Sequence, residues 1–184
     1  MIKKLNLLNF RNIESAELLF DKNSNLITGS NAQGKTNIVE AIGCLSTLKS
    51  FRGSENKSLI RDNCDFASIE AIDDKNNSYK VVITKEKKSC SINNNKIRKF
   101  KDFIGLLNVC VFSPDDVKLF KDSPSERREF LNESLSILFP AYYAYLSNYE
   151  NYRIERNNLL KLEKIDDKLL ATYDMLLSNY GKRI

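Results

Sequence analysis

The sequence contains no histidine, which excludes mechanisms built on an imidazole base and every histidine-containing metal site. Cysteine is sparse. Cys44, Cys64, Cys90 and Cys110 lie far apart without a C-x-x-C pair, and Cys44 and Cys110 stand among apolar neighbours, as reduced core thiols do. No apolar run approaches the ~18 residues that span a bilayer. The N-terminus alternates from Met1 to Leu5 with neither a signal core nor a transit pattern, so the expectation is a soluble, cytoplasmic protein of a bacterium-like cell with no membrane partner. Proline- or glycine-rich linkers and repeats of solenoid length are also absent. What remains is a chain of 184 residues, 42% hydrophobic and 29% charged, long enough for one ordinary domain or a domain with a small appendage. Lys and Arg number 29 against 24 Asp and Glu, a net +5 that favours a polyanionic partner. The abundance of Asn, Lys and Ile throughout is the compositional alternative.

Residues 2 to 10 alternate, Arg11-Asn12 interrupts, and Ala16 to Phe20 resumes an apolar stretch, which predicts a β-hairpin or two sheet-edge strands. Asn25-Leu26-Ile27-Thr28 reads as a short strand running into Gly29. From Lys35 to about Lys49 the apolar residues Ile38, Ile42, Leu45 and Leu48 share a helical face. Residues 68–72, 78–84 and 89–93 read as strands of an antiparallel meander, with turn-rich segments between them. A short helix around 100–107 and a buried strand at 108–112 follow. From Ser113 the pattern becomes helical. Ser113-Pro114-Asp115-Asp116 and Ser123-Pro124-Ser125-Glu126 each place Ser at an N-cap and Pro at the first helical position. Tyr142, Tyr145, Tyr149, Tyr152, Arg156 and Leu159 form a 3,4-spaced stripe that predicts packing against a helix from about Asp166 rather than a base-stacking platform.

Gly29-Ser30-Asn31-Ala32-Gln33-Gly34-Lys35-Thr36 satisfies the phosphate-loop pattern G-x-x-x-x-G-K-[ST], between a predicted strand and a predicted helix. Glycines let such a loop turn its backbone N–H groups inward around phosphates, and the helix N-terminus adds partial positive charge. Lys35 then reaches the β- and γ-phosphates of ATP, and the Thr36 hydroxyl ligates Mg²⁺. A phosphate-loop enzyme also needs an acid at the end of an apolar strand. Glu70, Asp73 and Asp74 read as residues of a half-exposed strand and its turn, and Asp115 and Asp116 as part of a helix cap. No catalytic residue is therefore assigned, and negligible ATP turnover by this chain alone is the expectation.

Leu8-Asn9-Phe10-Arg11-Asn12, the loop from Gly29 to Asn37, Leu48-Lys49-Ser50-Phe51-Arg52, Phe112-Ser113-Pro114-Asp115-Asp116 and the segment from Ser123 to Leu131 together resemble the RecF family. These are bacterial DNA replication and repair proteins related to the ABC-type ATPase heads of SMC proteins. Asp122 departs from the family's usual Gly before Ser-Pro. The Q-loop glutamine has no counterpart, because Gln33 is the only Gln in the chain; Asp115 or Asp116 stands nearest to that role by position.

The resemblance implies an α/β fold, the N-terminal half of an ABC/SMC-type phosphate-loop ATPase head, carrying an antiparallel β meander and an inserted helical subdomain. Residues 1–112 would be the head and 113–184 the helical subdomain, cut at its C-terminal end, with the signature and Walker B motifs beyond it. It further implies ATP and Mg²⁺ as cofactors, with Asn37 in the nucleotide site and Arg11 near the phosphates, a solvated hairpin-turn arginine being the other reading of Arg11. The partners implied are DNA bound without sequence preference, a second copy of the full-length protein joined through ATP, and a RecR-type recombination mediator. Lys49 and Arg52 are the candidate DNA-backbone contacts, with a solvated helix end as the other reading; Arg127 and Arg128 read as surface residues. Recombinational repair and replication restart are the function implied. A small phosphate-loop kinase acting on a metabolite is the alternative.

Overall fold

Leu5 and Leu7 sit two apart along β1 (Ile2–Phe10) and are both buried, so one face of this strand is committed to a core; Phe10, buried as well, follows Asn9, whose positive φ (52°) breaks the alternation. The structure, a computed structural model, describes residues 1–53, 55–113, 124–162 and 164–184. β1 pairs antiparallel with β2 (Ile13–Leu19) on one side and with β3 (Phe66–Asp73) on the other. β4 (Ser78–Thr84), β5 (Lys88–Ile92) and β6 (Asn95–Ile97) extend the sheet as a meander, in the order β2-β1-β3-β4-β5-β6. The register stacks Leu5 on Ala71, Leu7 on Ile69, Ile69 on Val81 and Val81 on Cys90, which makes one continuous apolar face.

Two turns show why the meander folds. The β5–β6 loop is Asn93-Asn94, both with positive φ (49° and 66°), the geometry of a two-residue hairpin turn that Asn tolerates. In the β3–β4 turn the Asp73 carboxylate accepts from the backbone N–H of Lys75 and Asn77, at 2.9 and 2.8 Å. The acids at the end of β3 are thus turn residues, as their sequence setting indicated.

Helix α1 (Lys35–Thr47) packs on this sheet through Ala41, Cys44 and Leu45, with Leu48 just past its end. The buried face is rotated from the expected one, since Ile38 and Ile42 are only half-buried. A short α2 (Asn56–Leu59) and a 3-10 turn at Phe100–Asp102 are the other helical elements among the described residues of this part.

Two expected strands do not form. Residues 25–28 and 108–112 are irregular, with Leu26 89% and Phe112 81% exposed. A strand exists only through its ladder, and no described residue pairs with either segment. Cys110 is exposed for the same reason, whereas Cys44 and Cys90 are buried. The helix start expected at 114–116, and Ser123 as a cap, fall outside the described residues.

The chain divides into two compact units, residues 1–118 and 119–184. In the second, α3 (Pro124–Leu138) is followed at once by α4 (Pro140–Leu159), whose opening proline sits where its missing N–H costs no helical bond. Tyr142 of α4 donates its hydroxyl to Asn132 Oδ1 of α3 at 2.6 Å. α5 (Asp167–Gly181) begins under a cap: Asp166 accepts from the N–H of Lys168 and Leu169, at 3.0 and 3.1 Å. The tyrosine stripe of α4 meets α5. Tyr152 stacks on Tyr180 with ring centres 5.6 Å apart, and Arg156 pairs with Asp174 at 2.5 Å.

Candidate nucleotide-binding site

The loop before α1 is shaped by backbone conformations that most side chains resist. Gly29 (φ 148°), Ala32 (φ 64°) and Gly34 (φ 95°) all have positive φ. At Gly34 the requirement is also steric, because a Cβ there would lie 2.9 Å from Asn12 Oδ1. Gly34 is the N-cap of α1 and carries no side chain to cap it; its carbonyl accepts from Ile38 N–H at 3.1 Å. The N–H groups of Lys35, Thr36 and Asn37 thus have no acceptor within the helix, and no acid sits in the first turn. Lys35 Nζ reaches back across the loop to the carbonyls of Gly29 and Ser30, at 2.7 Å each. Residues 29–33 and Thr36 are exposed. The result is an open bend with a lysine ammonium over it and uncapped donors at its base, suited to anionic oxygens.

The turn between β1 and β2 adjoins this loop. Asn12 Nδ2 donates to Ala32 O at 2.9 Å, and Asn37 Nδ2 donates to Asn12 Oδ1 at 2.8 Å. Its neighbour Arg11 turns to α1: Nε and Nη2 donate to the two oxygens of Glu40, at 3.0 and 2.6 Å, and Nη1 to Ser58 O at 2.8 Å. Glu40 is fully buried. It also accepts from Ser50 Oγ at 2.5 Å and faces Arg52 Nη1 at 3.5 Å. Burial pushes this carboxyl up, but the hydrogen bonds from Arg11 and Ser50, with the charges of Arg11 and Arg52, hold it below its ordinary value.

Arg11, read from the sequence as a phosphate neighbour, is therefore bound to the carboxylate of α1. Arg52 is bound to the same group and donates to Asn37 Oδ1 at 3.2 Å; both it and Lys49 are exposed. Sequence reasoning missed Asn12, Glu40 and Ser50. A carboxylate at position 40 beside Ala41 and Cys44, on an otherwise apolar face, is the signal for Glu40: such a charge is buried only with partners. Asn12 carries no comparable signal, since turn asparagines are common. Among the described residues no group of three or more Cys, Asp or Glu gathers as a metal site.

This geometry coincides with a family match along most of the chain: the family described as RecF/RecN/SMC N terminal domain matches residues 1–171. The chain belongs to the RecF/RecN/SMC family. It is 41% identical to the DNA replication and repair protein RecF of Clostridioides difficile (strain 630) and 42% identical to that of Clostridium perfringens (strain 13 / Type A). All of this chain aligns in both cases, with 50% and 52% of the relatives' lengths, so it spans about half of the curated relatives it matches. Two solved structures of the recombination mediator protein RecF in the RecFOR pathway, one titled as RecF-ATP and one as RecF-ATPrS, superpose with TM-scores of 0.92 and 0.91. Each is 32% identical, over 100% of this chain and 51% or 52% of theirs. The ABC/SMC-type ATPase fold expected from the sequence is thereby shown, and the metabolite-kinase alternative is left without support.

Proposed function

We propose that this chain binds ATP through residues 29–37 and serves a DNA replication and repair protein of the RecF type. One observation carries the reading: Lys35 Nζ lies against two loop carbonyls above the uncapped start of α1, so a cation and backbone donors converge on one bend. A triphosphate fits that donor set, and Lys35 would exchange its carbonyl acceptors for phosphate oxygens. Thr36, exposed in the first turn, would offer its hydroxyl to Mg²⁺, which supplies charge neutralisation between the phosphates when bound. Gly34 gives the backbone its close approach, and Asn37 orients the start of the helix. An open cavity of about 540 Å³, lined by Arg11, Asn12, Arg61, Asp62, Asn63 and Cys64, lies at the β1–β2 turn beside the Asn12 that bonds the loop, and it shares no residue with 29–37.

The names of the relatives support DNA as the macromolecular partner. The RecFOR pathway named for the two solved relatives is in keeping with a RecR-type mediator as companion, and an ATP-joined pair of full-length chains in a cytoplasmic setting completes the proposal. Lys49 and Arg52, both exposed just past α1, are the proposed DNA contacts, and Arg52 would act there while also holding Glu40 and Asn37.

Calorimetric titration with ATP and Mg²⁺ tests the assignment. Lys35→Ala removes the ammonium that lies over the loop, and the expected loss is at least about tenfold in affinity, in keeping with a charge-assisted hydrogen bond of ~1.5–3 kcal/mol. Unchanged affinity in that variant refutes the assignment.

A further inference from the structure

We propose that Asn12 is a positioning residue of the phosphate loop, the middle link of a directional hydrogen-bond chain that fixes the loop's curvature before nucleotide arrives. The inference rests on the reading of residues 29–37 as a phosphate site. The chain of bonds is short: Asn12 Nδ2 to Ala32 O (2.9 Å), Asn37 Nδ2 to Asn12 Oδ1 (2.8 Å), and Arg52 Nη1 to Asn37 Oδ1 (3.2 Å). Its ends fix its direction. The Ala32 carbonyl can only accept and the Arg52 guanidinium can only donate, so each amide between them has one orientation that satisfies both neighbours.

The chain joins three separate pieces of sequence: the β1–β2 turn, the loop and first turn of α1, and the segment after α1. Two of its anchors are rigid. The β1–β2 turn is tied to the segment at 59–61 by Arg11 N–H to Leu59 O and Arg61 N–H to Asn9 O, each 2.9 Å. Arg52 leans on the buried carboxylate of Glu40. The point they act on is the costly one: Ala32 holds a left-handed conformation that a non-glycine residue adopts only when its surroundings impose it. Asn12 also accounts for Gly34, since its Oδ1 occupies the space a Cβ at that position would need. A loop already bent spends none of its binding free energy on bending, which is how a side chain that need not touch the ligand raises affinity for it.

The test uses the full chain, with ATP and Mg²⁺ as the probe, in four forms: unsubstituted, Asn12→Ala, Asn37→Ala and the double variant. Each single variant breaks the same chain, so each is expected to weaken ATP binding about tenfold, and the double variant no more than either alone. The thermal midpoint without nucleotide should stay within a few degrees of the unsubstituted chain. Asn12→Asp keeps the shape but turns an acceptor toward the Ala32 carbonyl, so it should bind at least as weakly as Asn12→Ala. Should Asn12→Ala fail to fold, Asn12→Ser, which keeps a polar turn residue but is too short to span both bonds, decides in its place.

Failure of the unsubstituted chain to bind ATP overturns the phosphate-site reading and this inference with it. Normal binding by the unsubstituted chain and by both single variants overturns only the role of Asn12. A roughly hundredfold additive loss in the double variant, or a fall in thermal midpoint large enough to explain the weaker binding, overturns it as well.

Discussion

Glu40 is a carboxylate with no exposed surface, and what keeps it charged decides how the residues around the loop behave. It receives two hydrogen bonds from Arg11 and one from Ser50, and Arg52 stands 3.5 Å away. Glu40→Gln would leave two guanidiniums without their counter-charge, and removing one partner of such a pair typically costs about 3 kcal/mol. Urea unfolding should register that loss in the first unit. The same group predicts a dependence on pH. Its folded value lies below 4.5, so the unfolded chain takes up the proton more readily. The stabilisation is therefore complete above about pH 4.5 and disappears as the pH falls through the lower, folded value. Asp73 acts with the same sign: burial pushes its carboxyl up, but the turn hydrogen bonds from Asn77, Lys75 and Tyr79 hold it lower. Thermal midpoints measured on either side of pH 4.5 should thus fall with acid, and fall less steeply in Glu40→Gln.

Elements were legible in the sequence where their partners are local. The β3–β6 meander, with its Asn-rich turns, pairs each strand with the next in the chain, and α5 is announced by its own cap. Residues 25–28 and 108–112 have the composition of buried strands, but composition does not show what lies alongside, and here neither segment has a ladder. The phosphate loop was readable because glycine, lysine and threonine at fixed spacing state their chemistry. The contacts of Asn12 and Glu40 were not, because they join residues 10 to 29 positions apart across a turn and a helix. At this scale the cap of α5 carries its own prediction. Asp166→Ala removes the acceptor for two N–H groups and should cost ~1 kcal/mol, read as an earlier urea midpoint of the helical unit in tyrosine emission.

At the scale of the molecule, charge is divided unevenly. Residues 1–118 hold 19 Lys and Arg against 14 Asp and Glu, while residues 119–184 hold 10 of each, so the whole net +5 resides in the unit that carries the phosphate loop. If that unit contacts DNA through Lys49, affinity should decline with salt, and Lys49→Ala should flatten the slope of log K against log salt by about one unit. An unchanged slope returns Lys49 to solvent. The aromatic and sulfur side chains are divided as well. Seven of the eight tyrosines lie beyond residue 140, and there is no tryptophan to mask them; all four cysteines lie before residue 111. Burial pushes the thiols of Cys44 and Cys90 up, to about 12 and about 11, which leaves both inert until the core beneath α1 opens, while Cys110 is exposed from the start. A maleimide added during denaturation would consequently consume Cys110 at once and the half-buried Cys64 next, and then keep time through Cys44 and Cys90 by the opening of the sheet and its helix, silent on the helical unit, whose own melting glows in the tyrosines. The native chain thus carries two separate clocks, one chemical and one optical, for the two halves of its unfolding.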